Sequence, residues 1–234
     1  MRRTGILMVV VVLAATACSS SGPKRAKPKA STSTTAKPSH DLTIIEAGLI
    51  RISDLPGYSH KPPSAGSSAD IEQIAKGLPE CAHFVAIRKG GASKRKSPRF
   101  QLGNAHVDNG VDVYASTDIV AQQLDLYRDP ATVVCLRAAF EKTLVQRIGT
   151  NGTIDKTDIS PIAVNEAGDG QFAYRLTVGH TANGQSTTLL FDLIGVSVGR
   201  YTMSFNSRGT IAEMAELETT LLPKLVDRMH QAGA

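Results

Sequence analysis

The sequence predicts an α+β protein, built as an α/β/α sandwich around a central, mostly antiparallel sheet. Two turn signals, Asn183-Gly184 and Gly199-Arg200, separate three stretches with strand character. The middle stretch, 189–198, is apolar at nearly every position, which is typical of a strand covered on both faces. Because segments with helical periodicity precede and follow these strands, we expect helices on both sides of the sheet.

The N-terminal segment predicts export and a lipid anchor. Residues 1–17 combine a positively charged start with a short apolar stretch, as a signal peptide does. Small residues directly precede Cys18, and this resembles the lipobox of bacterial lipoproteins, in which the cysteine is lipidated. Residues 18–40 are rich in Ser, Thr, Pro and Lys, so we expect a flexible tether before a single globular domain at 41–234. An ordinary secretory signal with an incidental cysteine is the alternative.

This export signal sets the expected location and the expected partners. The domain should lie outside the cytoplasm, anchored to the cell membrane through the lipid on Cys18. The formal net charge of +5 originates in residues 1–40, which contain basic residues and no acidic one. The folded part is therefore close to neutral, which argues against nucleic acid as a partner.

The two remaining cysteines predict a disulfide. With Cys18 lipidated, Cys81 and Cys135 would lie in an oxidising compartment, where two cysteines usually pair. A reactive thiol pair or a metal site is the alternative, but the two residues lack a C-x-x-C spacing or a nearby histidine pattern.

Helix-capping residues, helix-ending residues and turn sequences predict the helices and strands outside the three C-terminal strands. Helices are expected at 68–76, 118–126 and 129–148, and a C-terminal helix should begin at the capping box of Thr210 and Glu213. The sequence Asp108-Asn109-Gly110 predicts a hairpin turn between strands at 99–107 and 111–116.

The positions of the two turns also predict how the strands pair. The first turn sets Leu176 opposite Phe191 and Arg175 opposite Asp192, and the second sets Asp192 opposite Ser207. A lone carboxylate in an apolar strand is costly unless it is paired. We therefore interpret Arg175 and Asp192 as a structural ion pair, with a ligand-binding carboxylate as the alternative.

Several segments together resemble a known family. They are LIRISDLPGY, a cysteine at the end of a short helix, VDVYAST, CLRAAF, and TLLFDLIGVSVGRYTMSF before an amphipathic C-terminal helix. In this order they resemble secreted actinobacterial lipoproteins of the LpqN type and related extracellular sensor domains, over residues 42–232. The resemblance implies a PsbP-like fold and a non-enzymatic envelope module that binds a ligand or a partner. It implies no particular site residue.

A dense run of basic residues at 88–99 is a second candidate site. It surrounds two glycines and includes Lys94, Arg95 and Lys96. Such a run is usually a solvated loop. The alternative is an anion-binding loop for phospholipid headgroups or an acidic cell-wall polymer.

The sequence predicts no catalytic residue, metal site or cofactor. Ser197 stands in a G-x-S-x-G pattern, but strand-like sequence on both sides indicates a hairpin rather than the strand-to-helix elbow of a hydrolase. The histidines lack metal-binding spacing, and no phosphate-binding glycine loop is present. We therefore expect a membrane-anchored module that binds a lipid, glycolipid or envelope protein where a helix leaves the sheet partly uncovered. A cell-envelope hydrolase with an unrecognised active site is the alternative.

Overall fold

The computed structural model describes residues 39–63, 73–88, 90–148 and 152–234. The strands are β1 (Ser59–Lys61), β2 (Ser93–Lys96), β3 (Arg99–Leu102), β4 (Ala105–Val113), β5 (Gly152–Pro161), β6 (Gly170–Ala182), β7 (Gln185–Val198) and β8 (Tyr201–Arg208). Within these described ranges, the eight strands form one sheet in the order β1-β3-β4-β8-β7-β6-β5, with β2 also paired to β4. All of these pairings are antiparallel, so the predicted α+β class is confirmed.

Helices cover both faces of this sheet. They are α1 (His40–Ala47), α2 (Ala82–Ile87), α3 (Thr117–Arg128), α4 (Pro130–Ile148) and α5 (Ile211–Gln231). Helices α1 and α5 bury the larger core, which includes Ile44, Ile194, Phe205 and Leu225. Helix α4 packs on the opposite face, where Leu136 meets Leu176 and its neighbours. We term these two sides the α5 face and the α4 face.

The pairing predicted from the two turns is confirmed. Arg175 lies opposite Asp192, Leu176 opposite Phe191, and Asp192 opposite Ser207. Asn183 and Gly184 both have positive φ, at 52° and 74°, as a two-residue hairpin turn requires. This turn thus sets the register between β6 and β7, and the turn at Gly199, whose φ is 55°, sets the register between β7 and β8.

The hairpin predicted at 108–110 is wrong. Strand β4 runs through these residues, and the chain turns instead at Gly103, whose φ is 58°. Asn109 is buried and its side chain serves long-range contacts, accepting from the Ile50 amide (2.9 Å) and donating to the Gly48 carbonyl (2.7 Å). At Gly110, a Cβ would lie 3.3 Å from Ser204 Oγ. The Asn-Gly pair therefore fits close packing rather than a turn.

The predicted helices agree with the structure where it describes them. Helices α3 and α4 match 118–126 and 129–148, and the capping box of Thr210 and Glu213 opens α5. Of the helix predicted at 68–76, residues 73–75 are helical and 68–72 lie outside the described residues. Helix α1 begins at His40, inside the predicted tether, where the Ser39 side chain accepts from the Leu42 amide.

A charge cluster joins helix α5 to residues 51–54. Asp54 accepts from Lys224 Nζ (2.8 Å) and from Arg228 Nη1 (3.1 Å), and it also accepts from the Arg51 amide (2.8 Å). The Asp54 side chain is almost fully buried. We term Asp54, Lys224 and Arg228 the Asp54 cluster.

The predicted export signal and lipid anchor are not part of the described structure. No helix in the described ranges is long and apolar enough to cross a membrane. The predicted signal peptide at 1–17, the lipidated Cys18 and the tether up to residue 38 lie outside the described residues.

Candidate functional site

The predicted disulfide is present between Cys81 and Cys135. It joins the turn before α2 to helix α4, with the two Cα atoms 4.6 Å apart. Ala75, Phe84 and Leu126 pack around it in a small separate core. The disulfide therefore holds α2 against the helix that covers one face of the sheet.

The predicted ion pair is present and bidentate. Arg175 Nε donates to Asp192 Oδ1 (2.7 Å) and Arg175 Nη2 donates to Oδ2 (2.5 Å). The Asp192 side chain is completely buried, whereas that of Arg175 is one-fifth exposed. Paired guanidinium donors compensate the desolvation of the buried carboxylate.

A second carboxyl group, which sequence reasoning missed, completes this cluster. Glu218 of α5 is buried and accepts from Ser207 Oγ (3.1 Å). Burial, the negative charge of Asp192 and a hydrogen bond with Asp192 together raise the pKa of Glu218 from 4.5 to about 7, outweighing Ser207 and Arg175, which lower it. We term Arg175, Asp192, Ser207 and Glu218 the Asp192 cluster. This cluster contains two carboxyl groups and only one guanidinium. Protonation of Glu218 would remove the negative charge that Arg175 does not balance.

A narrow cleft reaches this cluster from the surface. It has a volume of about 210 Å³ and lies between residues 163–167 and helix α5, with Glu218, Thr219 and Leu222 among its lining residues. Glu218 is therefore the member of the Asp192 cluster that also lines this cleft.

An apolar cleft of about 100 Å³ lies on the α4 face. Most of its lining residues are apolar: Leu136 and Phe140 of α4, Ile159 of β5, Tyr174 and Leu176 of β6, and Phe191 and Leu193 of β7. Asp192 of β7 and Asn206 and Ser207 of β8 complete the lining. Strand β7 was predicted to be covered on both faces, and this is correct for 194–198, whose residues are buried. At 189–193 the strand is mostly half-buried, because α4 leaves this part of the sheet incompletely covered.

Beyond the apolar cleft, the same face of the sheet becomes polar. Residues paired across antiparallel strands project to the same side, so Phe191, Arg208 and His106 form one row across β7, β8 and β4. The cationic half of the α4 face, as we term it, carries Lys61, Lys94, Lys96, Arg99 and Arg208 together with the two acids Asp108 and Asp112.

Local contacts show how these charges are arranged. Arg99 pairs with Asp108 (3.3 Å) and Lys94 with Asp112 (3.1 Å). Burial lowers the pKa of His106, and the nearby cations Arg208, Arg99 and Lys61 lower it further, outweighing Asp108. His106 is therefore held neutral among a surplus of positive charge.

The predicted basic loop is a strand in part. Residues 93–96 form β2, paired with β4, so neighbouring side chains point to opposite sides of the sheet. Lys94 and Lys96 lie on the cationic half, whereas Arg95 is exposed on the other side. Lys94, Arg95 and Lys96 therefore do not share one surface.

Ser197 lies in a hairpin, as predicted. It stands in β7 opposite Thr202 of β8, it is buried, and its hydroxyl donates to the Gly170 carbonyl (3.2 Å). In the described part of the chain, no group of three His, Cys, Asp or Glu side chains could hold a metal ion.

Comparisons with known proteins give only distant similarities to solved structures. No family model matches the chain, and no curated protein matches it. The extracellular domain of PknH from Mycobacterium tuberculosis is similar with a TM-score of 0.36 and 11% identity, over 74% of this chain and 100% of that one. A Pseudomonas aeruginosa protein of unknown function, PA94, is similar with a TM-score of 0.19 and 14% identity, over 56% of this chain and 77% of that one. These identities are too low to transfer a site or an activity.

Proposed function

We propose that the protein is an extracytoplasmic binding module, held at the cell membrane by a lipid on Cys18, whose apolar ligand occupies the apolar cleft. The observation that carries this proposal is the incompletely covered apolar surface between α4 and strands β5, β6 and β7. Ligand sites are concave and mostly apolar, with few polar groups. The apolar cleft has this character, and Asn206 stands at its polar side.

The energetics of the exposed apolar surface support this use. Phe140, Leu189 and Phe191 pack only partly buried against the core beneath α4. Apolar surface gains about 25 cal/mol for each Å² removed from water. A ligand that covers these side chains would therefore be bound mainly by the hydrophobic effect, without any rearrangement of the strands.

The disulfide and the N-terminal pattern support the location. A disulfide between Cys81 and Cys135 persists in an oxidising compartment and is uncommon in the cytoplasm. The small residues before Cys18 and the apolar stretch ahead of them fit lipidation after export. Metabolic labelling with an alkyne fatty acid should mark the wild-type chain, and the Cys18→Ser chain should remain unlabelled.

Binding is tested with a neutral apolar probe. The Cys18→Ser chain should enhance the fluorescence of N-phenyl-1-naphthylamine in a saturable manner. Leu193→Asp, which puts a charge into the apolar cleft, should weaken this binding about tenfold or more. Val134→Asp is the matched control, because Val134 is 53% exposed on the outside of α4. Equal binding by both variants would show that the probe binds elsewhere and would contradict the proposal.

A further inference from the structure

The α4 face of the sheet changes from apolar to cationic between two adjacent strands. Along one row, Leu176 of β6 and Phe191 of β7 are followed by Arg208 of β8 and then His106 of β4. Adjacent strands lie about 4.8 Å apart, so the change takes place within one strand spacing. A ligand lying across this row would meet an apolar surface at one end and a charged one at the other.

Arg208 stands at the boundary itself. Its guanidinium lies 5.5 Å from the centre of the Phe191 ring, which lines the apolar cleft. No ion pair joins Arg208 to any acid in the described residues, and Asp108, the nearest acid by register, is paired with Arg99. The hydrogen-bond donors of the Arg208 guanidinium therefore lie beside the cleft, and the contact with the Phe191 ring helps to hold them there.

The surroundings of Arg208 favour an anion over a cation or a neutral group. Five cationic side chains and two carboxylates occupy the cationic half of the face, and both carboxylates already have a basic partner. Lys61 is exposed, and the Arg99 side chain is two-fifths exposed. An anionic group placed there would gain charge-assisted hydrogen bonds without displacing a buried ion pair.

We infer that the ligand is a single-chain anionic amphiphile, with the chain carbons nearest the headgroup in the apolar cleft and a carboxylate or phosphate headgroup at Arg208. This inference rests on the proposed function, because it needs the apolar cleft to hold the chain. Arg208 recognises the headgroup directly, and Arg99 and Lys61 add attraction from neighbouring strands.

The test compares ligands that share a dodecyl chain and differ in charge. Dodecanoate and dodecyl phosphate are the anionic ligands, dodecyldimethylphosphine oxide is neutral, and dodecyltrimethylammonium is cationic. Isothermal titration with the Cys18→Ser chain, below the concentrations at which micelles form, should show the anionic ligands binding about tenfold tighter than the neutral one. Added salt should reduce this difference, and the cationic ligand should bind most weakly.

Two arginine variants locate the headgroup. Arg208→Gln should remove most of the difference in affinity between the anionic ligands and the neutral one, with Arg99 and Lys61 accounting for the remainder, and it should leave neutral binding unchanged. Arg95→Gln is the matched control, since Arg95 is exposed on the opposite side of β2, and it should change nothing. Circular dichroism melting shows whether either variant alters the fold.

The outcomes separate this inference from the proposed function. If none of the four ligands binds, the proposed function fails and the inference fails with it. If all four bind equally, the apolar cleft stands as a binding site and the anionic headgroup is refuted. If Arg95→Gln lowers anionic affinity as much as Arg208→Gln does, the headgroup does not bind at Arg208 and the inference is likewise overturned.

Discussion

Two charge clusters lie beneath helix α5, and they differ in the ratio of acids to bases. In the Asp54 cluster, one carboxylate faces two cations, Lys224 and Arg228. In the Asp192 cluster, the carboxyl groups of Asp192 and Glu218 face a single cation, Arg175. Cations therefore outnumber carboxyl groups in the Asp54 cluster, and carboxyl groups outnumber cations in the Asp192 cluster.

The pKa directions follow from this difference. Burial raises the pKa of Asp54, but hydrogen bonds from Lys224 and Arg51 and the charge of Arg228 bring it below its ordinary value of 3.8. Burial also raises the pKa of Glu218, and there the carboxylate of Asp192 raises it more than Arg175 lowers it, so the pKa reaches about 7. Burial raises the pKa of both acids, and the charges of the neighbouring groups determine whether the net shift is upward or downward.

The comparison is tested most strongly by removing the fully buried acid. Asp192→Ala leaves the Arg175 guanidinium without its bidentate partner and should lower the unfolding free energy by roughly 3 kcal/mol. We expect the lower end of the usual range for a broken buried pair, because Glu218 remains close enough to compensate in part. Urea denaturation at neutral pH measures the change. An unchanged midpoint together with lost ligand binding would instead assign Asp192 to a ligand site.

Removing the acid of the other cluster should cost less. Asp54→Ala leaves Arg228 and Lys224 without a partner and should lower the unfolding free energy by roughly 2 kcal/mol. The Lys224 side chain is half exposed, so water can solvate the ammonium group that loses its partner. The same urea denaturation measures it. A loss larger than that of Asp192→Ala would show that the number of cations does not govern the two clusters.

The pH dependence of stability should have opposite signs in the two clusters. The pKa of folded Glu218 is raised from 4.5 to about 7, so its stabilisation is complete below 4.5 and is lost as the pH rises through about 7. Asp54, whose pKa is lowered, stabilises the fold above 3.8 and loses this effect as the pH falls further.

Urea denaturation from about pH 8 to about pH 5 resolves the contribution of Glu218. Stability should rise toward acid pH by at most about 1.4 kcal/mol per pH unit. Glu218→Gln should remove this slope, whereas Glu216→Gln, an exposed control on the same helix, should retain it. A slope that survives in Glu218→Gln would show that Glu218 is not the group responsible.

The smallest effect should come from the surplus cation of the Asp54 cluster. Lys224→Gln leaves Arg228 paired with Asp54, and the lost pair is partly exposed, so the unfolding free energy should change by less than about 0.5 kcal/mol. Thermal melting is sensitive enough to detect it. A loss that approaches that of Asp54→Ala would show that both cations are needed.

Local signals predicted strands β6, β7 and β8 and their pairing, whereas long-range packing determines the features that these signals missed. The turn at Asn183-Gly184 set the register, and with it the pairing of Arg175 and Asp192, because a hairpin register depends on a few adjacent residues. Glu218 follows Leu217 on the apolar stripe of α5, so the sequence could indicate that it is buried. Its contact with Ser207 depends on how α5 docks, which the sequence alone does not give.

Contacts between residues far apart in the sequence also explain why the hairpin predicted at 108–110 is wrong and why the cationic half of the α4 face was not predicted. Asn109 looks like a turn residue until its contacts with Ile50 and Gly48, far away in the chain, are known. Arg99 and Arg208 come together only through the pairing of β3, β4 and β8. Neither spacing nor charge runs in the sequence could place them on one surface.

Strand β8 pairs with β7, its neighbour in the sequence, on one side and with β4, which is far away in the sequence, on the other. This difference predicts an order of folding. Strands β6, β7 and β8 follow one another along the chain, so their ladders close short loops and gain contacts at small entropic cost. The ladder between β8 and β4 joins residues such as Gly110 and Ser204, which are 94 positions apart. Since non-local contacts of this kind slow folding, the three-stranded meander should assemble early and act as the template onto which β4 later docks.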